Sequence, residues 1–337
     1  MNWDKGYSAR YYAAIVDPAT WRDVGRIELT GGTVSREYSG LRQSADIDCV
    51  DYDQGVEQWI RIYLDARSED GSGHEPLFTG LSTSPDQNIK GRWTENSVQC
   101  YSVLKPADDV ILTRGWYAPV EMSAVSLIRQ LLAPVPAPFE NAIEGEPKSL
   151  ESAIVAEDGE TNLTMIEKIL AALNWDLRIA GDGSLTLVSN EDIGSVMTFD
   201  PLSFDVIETE IKVSADWYSC PNVFMAVNND MTGIARDESD DSILSIQNRG
   251  REVWMYESGV SLGEDETIAQ YATRRLAEEQ RVGVSVSYDR RFVPGVMPGD
   301  LVTLHYPEQG LTGDYLVESQ SITLGYGAKT SETLIGV

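Results

Sequence analysis

The sequence predicts a mainly β protein of the α+β class, in which two β-rich ends flank a smaller α/β unit. Roughly the first 110 residues contain short apolar–polar alternations separated by turn residues about every ten positions. The middle of the chain has apolar residues at helical spacing, followed by a hairpin pattern. The last third returns to alternation around one amphipathic helix.

The N-terminal segment reads as a series of strands. Gly25–Leu29 alternates and is followed by Thr30–Thr33, whose two glycines predict a turn. Gln58–Asp65 alternates with its aliphatic residues on one face, and further strands are expected at Leu77–Leu81 and Asn96–Ser102. Several short strands of this kind predict a barrel or a sandwich.

The middle segment predicts two helices and a hairpin. A short helix is expected at Ser123–Leu132, and the proline-rich stretch Ala133–Pro138 predicts a stiff extended linker. Thr164–Glu167 has the form of a capping box for a second helix, which Asn174 is expected to end. The hairpin is predicted by two strands, Asp176–Ile179 and Leu185–Val188, around the turn Gly181–Ser184.

The C-terminal segment predicts strands around one helix. Core strands are expected within Ala215–Val227, with Trp217 among their residues, and a polar loop at Asp230–Asp241. Its remaining predicted elements are a strand at Glu252–Tyr256, a helix from Glu264 to Gln280, a strand at Val282–Tyr288, a type II turn at Pro298-Gly299 and a strand at Leu301–Leu304. The hairpin at Leu301–Val317 resembles that at Trp59–Leu81, but all β-hairpins share this pattern, so an internal duplication stays open.

The net charge separates classes of function. The chain has 54 acidic and 26 basic residues, a net charge of −28 and a pI near 4.3. This argues against binding nucleic acid through its phosphates, which requires basic surfaces. It is compatible with a wall that repels phosphates and lets a duplex pass. Solubility, or adaptation to high salt, is the alternative explanation.

No targeting, membrane or cysteine signal is found. The N-terminus is polar, so no signal peptide is predicted, and no run approaches the ~18 apolar residues of a membrane span. Cys49, Cys100 and Cys220 are odd in number and far apart, which predicts three buried thiols rather than a disulfide framework or a zinc site.

The residue types that carry catalysis are sparse. His74 lies in a glycine-rich hairpin and His305 in a strand, and no nucleophile elbow or phosphate loop accompanies them. Asp237–Asp241 is the densest acidic cluster. Whether it holds an ion is left open, because it lacks the spacing of a calcium loop. We therefore predict no catalytic, cofactor-binding or metal-binding residue. The tryptophans and tyrosines, including Trp59, Tyr63, Trp175 and Trp254, are interpreted as core, with a carbohydrate platform as the alternative.

Three stretches resemble the baseplate hub, or tail-tip hub, family of tailed phages and contractile injection systems. They are Asn162–Val188, the helix at Ile268–Gln280, and Val296–Leu304 continued through Tyr315–Thr323. The resemblance extends over nearly the whole chain, and its motifs are structural.

The resemblance implies two tail-tube-like β-barrels with inserted small α/β and helical elements. On this basis residues 1–112 are expected to form the first barrel, 113–200 a small α/β domain, and 201–337 the second barrel with a helical insertion near 264–280. The chain ends at Val337, shortly after its last strand, so no fused enzyme is expected.

The function implied is that of a structural virion protein without catalysis. It would form a homotrimeric hub that adapts a six-fold tail tube to a three-fold tip, with genomic DNA passing through the lumen without specific binding. Implied partners are a tail tube or distal tail ring protein, a tape-measure protein, and a tip spike or receptor-binding protein. The location would be the virion tail tip, after synthesis in the host cytoplasm. The alternatives are a carboxylate-based hydrolase and a carbohydrate- or receptor-binding tail protein.

Overall fold

The computed structural model describes residues 1–3, 5–50, 52, 56–83, 86–91, 93–143, 148–190, 194–202, 207–215, 218–228, 231–262, 266–281, 284–326 and 329–336. The chain is mainly β, with few helices, as the sequence predicted. Most strands join one 13-stranded sheet, and three small sheets lie beside it. No helix within these ranges is both long and apolar enough to cross a membrane.

The N-terminal strands pair in a closed ring. β1 pairs with β4, β4 with β5, β5 with β7, β7 with β3, β3 with β2, and β2 again with β1. Apolar side chains such as Ile47, Ile60, Ile62 and Phe78 fill the interior and are fully buried. The strands are β1 (Ser8–Asp17), β2 (Arg22–Glu37), β3 (Gln43–Cys49), β4 (Trp59–Ser68), β5 (Gly71–Ser82), β6 (Asp86–Lys90) and β7 (Trp93–Ser102), and a 3-10 turn spans Ser39–Leu41.

The turn predicted at Thr30–Thr33 is wrong, because these residues lie inside strand β2. The β2–β3 register shifts between Leu29 and Gly31, and the strand continues to Glu37. Gly32 has a φ of +143°, and a Cβ placed there would lie 2.4 Å from the Asp46 carbonyl oxygen. The glycines therefore permit a bulge, after which β2 leaves β1 and pairs with β20, near the C-terminus.

The middle unit has the predicted helices and hairpin. Its longest helix is capped three residues earlier than predicted, by Thr161 with Thr164, and Asn174 ends it in the left-handed conformation with φ 54°. The hairpin turn docks on the ring, where Gly181 accepts a hydrogen bond from Thr79 at 2.9 Å. The elements are α1 (Lys105–Asp108), β8 (Tyr117–Ala118), α2 (Ala124–Leu131), β9 (Phe139–Asn141), β10 (Ile154–Val155), α3 (Asn162–Leu173), β11 (Trp175–Ile179) and β12 (Leu185–Ser189).

The C-terminal strands of the large sheet form a second series, in the order β14–β18–β21–β20–β19–β13. Among the residues described, β13 and β14 end this series and do not pair with each other. The predicted type II turn is present, with Gly299 at φ +90° and Asp300 N donating to Met297 O. The strands are β13 (Ser195–Phe199), β14 (Ile207–Ala215), β18 (Val284–Arg291), β19 (Leu301–Tyr306), β20 (Leu311–Thr323) and β21 (Lys329–Gly336), with a 3-10 turn at Pro307–Gln309.

A separate three-stranded sheet with one helix lies between β14 and β18. The polar loop predicted from Asp230 is wrong for Met231–Arg236, which is a strand because Gly233 lets helix α5 approach: a Cβ there would lie 2.3 Å from Ile268 O. The helix begins at Ile268, and its predicted first residues 264–265 lie outside the described ranges, as do Trp217, Asp230, residues 282–283 and Val337. The elements are β15 (Val223–Asn228), β16 (Met231–Arg236), α4 (Ile246–Arg249), β17 (Trp254–Ser258) and α5 (Ile268–Arg281).

The two strand series share a pairing pattern. The first half of β2 pairs with β1 and its second half with β20, while β3 covers its other edge. The first half of β20 pairs with β19 and its second half with β2, while β21 covers its other edge. Hairpin β19–β20 thus corresponds to β1–β2, and not to the Trp59–Leu81 hairpin that it resembled in sequence.

Candidate functional site

A continuous polar face crosses the join between the two strand series. Directly opposed residues of paired strands present their side chains to the same face of a sheet. One row of opposed positions crosses six strands, and each side chain in it is exposed or half-buried: Tyr101, Ser44, Ser35, Ser321, Ser331 and Asp289. A second row crosses five strands: Glu37, Ser319, Thr333, Ser287 and Lys212. We call these rows, with Glu208 and Glu210 of β14, the polar sheet face.

This face is concave and predominantly acidic. A cavity of about 480 Å³ lies over it, and four carboxylates line it with the single exposed ammonium group of Lys212. The carboxylates belong to Glu37, Glu208, Glu210 and Asp289. The pKa of Asp289 is lowered by hydrogen bonds from Lys329 and then Ser331, which stabilise its ionised form. At neutral pH the face therefore repels anions.

A buried ionic network lies beneath the face, on the inward side of the same strands. Glu332 accepts hydrogen bonds from Arg290 at 2.7 and 2.5 Å and from Gln320 at 2.7 Å. Gln320 in turn accepts from Arg36 at 2.8 Å, across the β2–β20 join. Each of the four residues is at most 3% exposed. Because the network joins β2, β18, β20 and β21, it fixes the two strand series against each other.

The predicted histidines lie apart from this face. Each is half-exposed and contacts one carboxylate, His74 Nδ1 lying 2.7 Å from Asp65 Oδ1 and His305 Nδ1 lying 3.2 Å from Asp200 Oδ2. His74 also stacks on Tyr63, with ring centroids 4.6 Å apart. These are surface packing arrangements.

The acidic cluster at Asp237–Asp241 organises its own loop. Asp237 accepts hydrogen bonds from Ser239 N at 3.1 Å and from Gln280 Nε2 at 3.0 Å. Among the residues that the structure describes, no group of three metal-binding side chains occurs. The three cysteines are buried and free, as predicted, and burial raises the pKa of Cys49 to about 11 and that of Cys100 to about 12.

The aromatic residues divide between core and surface. Trp59, Tyr63 and Trp175 are at least 91% buried, as expected of core residues. The interpretation of Trp254 as core is wrong, because it is 45% exposed on the side of the small sheet opposite α5. Tyr256, two residues along the same strand, is 62% exposed. These two rings form an exposed aromatic pair on β17.

The sequence analysis missed the polar sheet face, although a signal was present. Hydroxyl or carboxyl side chains occupy every second position in Thr33–Glu37, Ser285–Asp289, Ser319–Thr323 and Ser331–Thr333. This period places all of them on one side of a strand. That the four segments are neighbours in one sheet follows from long-range pairing, which no single segment specifies.

Solved structures share this fold over nearly the whole chain. A tail protein from Neisseria meningitidis MC58 is 15% identical, with a TM-score of 0.71 and coverage of 98% of this chain and 97% of its own. The 43 kDa tail protein of prophage MuSo2 from Shewanella oneidensis is 13% identical, with a TM-score of 0.65 and coverage of 98% of both chains. An E. coli component of the type VI secretion system, described as similar to the T4 bacteriophage tail proteins gp27 and gp5, is 10% identical, with a TM-score of 0.55 and coverage of 92% of this chain and 74% of its own.

No protein-family model matches the chain, and no curated protein matches it. At the identities above, the likeness to solved structures concerns the fold. The resemblance to the tail-hub family that the sequence indicated is confirmed at this level.

Proposed function

We propose that this chain, which has the fold of phage tail proteins and of a type VI secretion component, is a structural protein of a tail tip or baseplate. The observation that carries the proposal is the polar sheet face, which is continuous across both strand series. A structural wall needs an extended face of this kind, whereas an enzyme needs a convergent set of reactive groups.

We further propose that each strand series is a tail-tube-like barrel, within residues 1–112 and 201–337, and that residues 113–200 are a domain inserted between them. The closed ring of β1–β5 and β7 and the matching pairing of β2 and β20 support this division. Three copies would then present six barrels to a six-fold tube above and a three-fold tip below.

The polar sheet face would line the channel of such a homotrimer. Its hydroxyl groups hydrate the wall, and its carboxylates repel phosphates, so duplex DNA would pass without adhering. The proposed partners are a tail tube or distal tail ring protein, a tape-measure protein, and a tip spike or receptor-binding protein. The proposed location is the virion tail tip.

Charge reversal at matched positions tests the channel. We compare Glu37→Lys/Glu208→Lys/Glu210→Lys, on the face, with Glu69→Lys/Glu121→Lys/Glu238→Lys, at three exposed positions outside it. Both triple variants change the net charge by the same amount. After the oligomer is isolated, duplex DNA binding is measured against salt concentration. The proposal expects the face variant to bind more tightly and to retain threaded linear DNA. Equal binding by the two variants contradicts it.

A second candidate function, receptor or carbohydrate binding, is favoured by the exposed aromatic pair. Trp254 and Tyr256 project from one side of β17, and Arg236 lies 5.2 Å from the Trp254 ring. Flat exposed rings on a strand suit stacking against sugar rings. Binding to immobilised envelope glycans that is lost in Trp254→Ala/Tyr256→Ala, with the oligomer intact, would establish this function. Equal binding by wild type and variant would reject it.

A further inference from the structure

A small cavity lies where three parts of the chain meet. It measures about 140 Å³ and is lined by β2 and β3 of the first ring, by β11 and β12 of the middle unit, and by the turn at Met297–Asp300. Direct contacts also join these parts: Gln43 Nε2 donates to Ile179 O at 3.1 Å, and Arg178 donates to Pro298 O at 3.1 Å. We call it the junction cavity.

Two polar atoms of its lining have no protein partner. They are Arg36 Nε, on a side chain that is 3% exposed, and Gln43 Oε1. Both side chains are held in place by their other atoms. Arg36 donates through Nη1 to Gln320 and through Nη2 to Leu77 O, and Gln43 donates through Nε2. An unpaired buried donor or acceptor costs about 1–3 kcal/mol, so each of these atoms requires a partner.

The remaining polar lining restricts what the partner is. Two carboxylates, of Asp176 and Asp300, and two guanidinium groups, of Arg36 and Arg178, border the cavity, so its buried charges balance. Arg178 Nε lies 2.7 Å from Asp176 Oδ2. A cation would face the unpaired N–H of Arg36, and an anion would face Gln43 Oε1 and two carboxylates. A neutral molecule that both donates and accepts satisfies the whole set.

We propose that the junction cavity is a binding site for a cluster of about four water molecules, at the ~30 Å³ that each occupies in the liquid. The cluster accepts from Arg36 Nε, donates to Gln43 Oε1 and to the carboxylates, and so joins the first ring, the middle unit and the C-terminal turn. The site concerns the rigidity of the three-part junction and does not depend on the proposed channel.

The first test is a crystal structure of the full chain at about 1.7 Å resolution. We expect three to five ordered waters in the cavity, one within hydrogen-bond distance of Arg36 Nε and another of Gln43 Oε1. A dry cavity, rotation of both side chains onto protein partners, or an ion at coordination distance overturns the proposal.

The second test counts long-lived waters in solution by deuteron and oxygen-17 magnetic relaxation dispersion. Ala180 lines the cavity, and Ala180→Leu introduces three further carbon atoms. We expect this variant to hold fewer long-lived waters than wild type. The matched control Ala19→Leu, at an exposed position, is expected to leave the count unchanged. An equal count in wild type and Ala180→Leu contradicts the proposal.

Discussion

Replacing Glu332 by glutamine tests whether the buried ionic network holds the two strand series together. The substitution preserves the shape of the side chain but removes the one carboxylate that accepts from Arg290 and from Gln320. The side chains of Glu332 and Arg290 are both 0% exposed. The guanidinium groups of Arg290 and Arg36 would then remain buried without the counter-charge.

The expected loss follows from the cost of an uncompensated buried charge. Removing one partner of a buried ion pair destabilises a protein by about 3–5 kcal/mol. An entropy of unfolding of about 2.1 cal/mol/K per residue corresponds to roughly 0.7 kcal/mol/K for the 337 residues if they unfold together. We therefore expect Glu332→Gln to lower Tm by about 4–7 °C.

Differential scanning calorimetry provides the measurement, and Glu28→Gln is the matched control. Glu28 also accepts from two arginines, Arg10 at 3.2 Å and Arg26 at 2.8 Å, but on the exposed surface. Its removal is expected to change Tm by less than about 1 °C, because exposed ion pairs contribute little. If Glu332→Gln shifts Tm no more than Glu28→Gln does, the network does not hold the series together.

Three further predictions concern single positions. Gly32→Ala should destabilise the chain by more than about 2 kcal/mol in urea, because its Cβ would meet the Asp46 carbonyl, whereas Gly310→Ala meets only the strain of a positive φ, about 1 kcal/mol; equal losses would contradict the bulge geometry. Arg178→Met should raise the rate of limited proteolysis within residues 113–200, because it removes the hydrogen bonds to Pro298 O and Gly299 O; an unchanged rate would show that other contacts hold the unit. The pKa of Asp289 is lowered from 3.8, so its ionised form adds stability above that pH, which is lost as the pH falls through the folded pKa; the stability deficit of Asp289→Asn, under about 1 kcal/mol at pH 7, should shrink below about pH 4, and a deficit independent of pH would refute the assignment.

Local signals in the sequence were sufficient for the middle unit. Apolar spacing located helix α3, Asn174 marked its end, and Gly181–Ser184 specified the hairpin turn. The capping box was displaced by one turn because Thr161 and Thr164 satisfy the same geometry as the pair predicted from Thr164.

Long-range contacts decided the elements that the sequence did not predict. The glycines of β2 suggested a turn, but the strand extends through them because β3 and β20 offer partners on both edges. Arg36, Gln320 and Glu332 occupy inward positions where an apolar residue is expected, and they are stable there only because they bond one another. Such a network joins residues nearly 300 positions apart, so no local window contains it.

Cryo-electron microscopy of the protein assembled at high concentration tests the central claim most directly. The account predicts three copies of the 37.2 kDa chain around one axis, with Ser35, Ser321 and Ser331 facing a central channel. A monomer at every concentration, or an oligomer in which this face points outward to solvent, would contradict it.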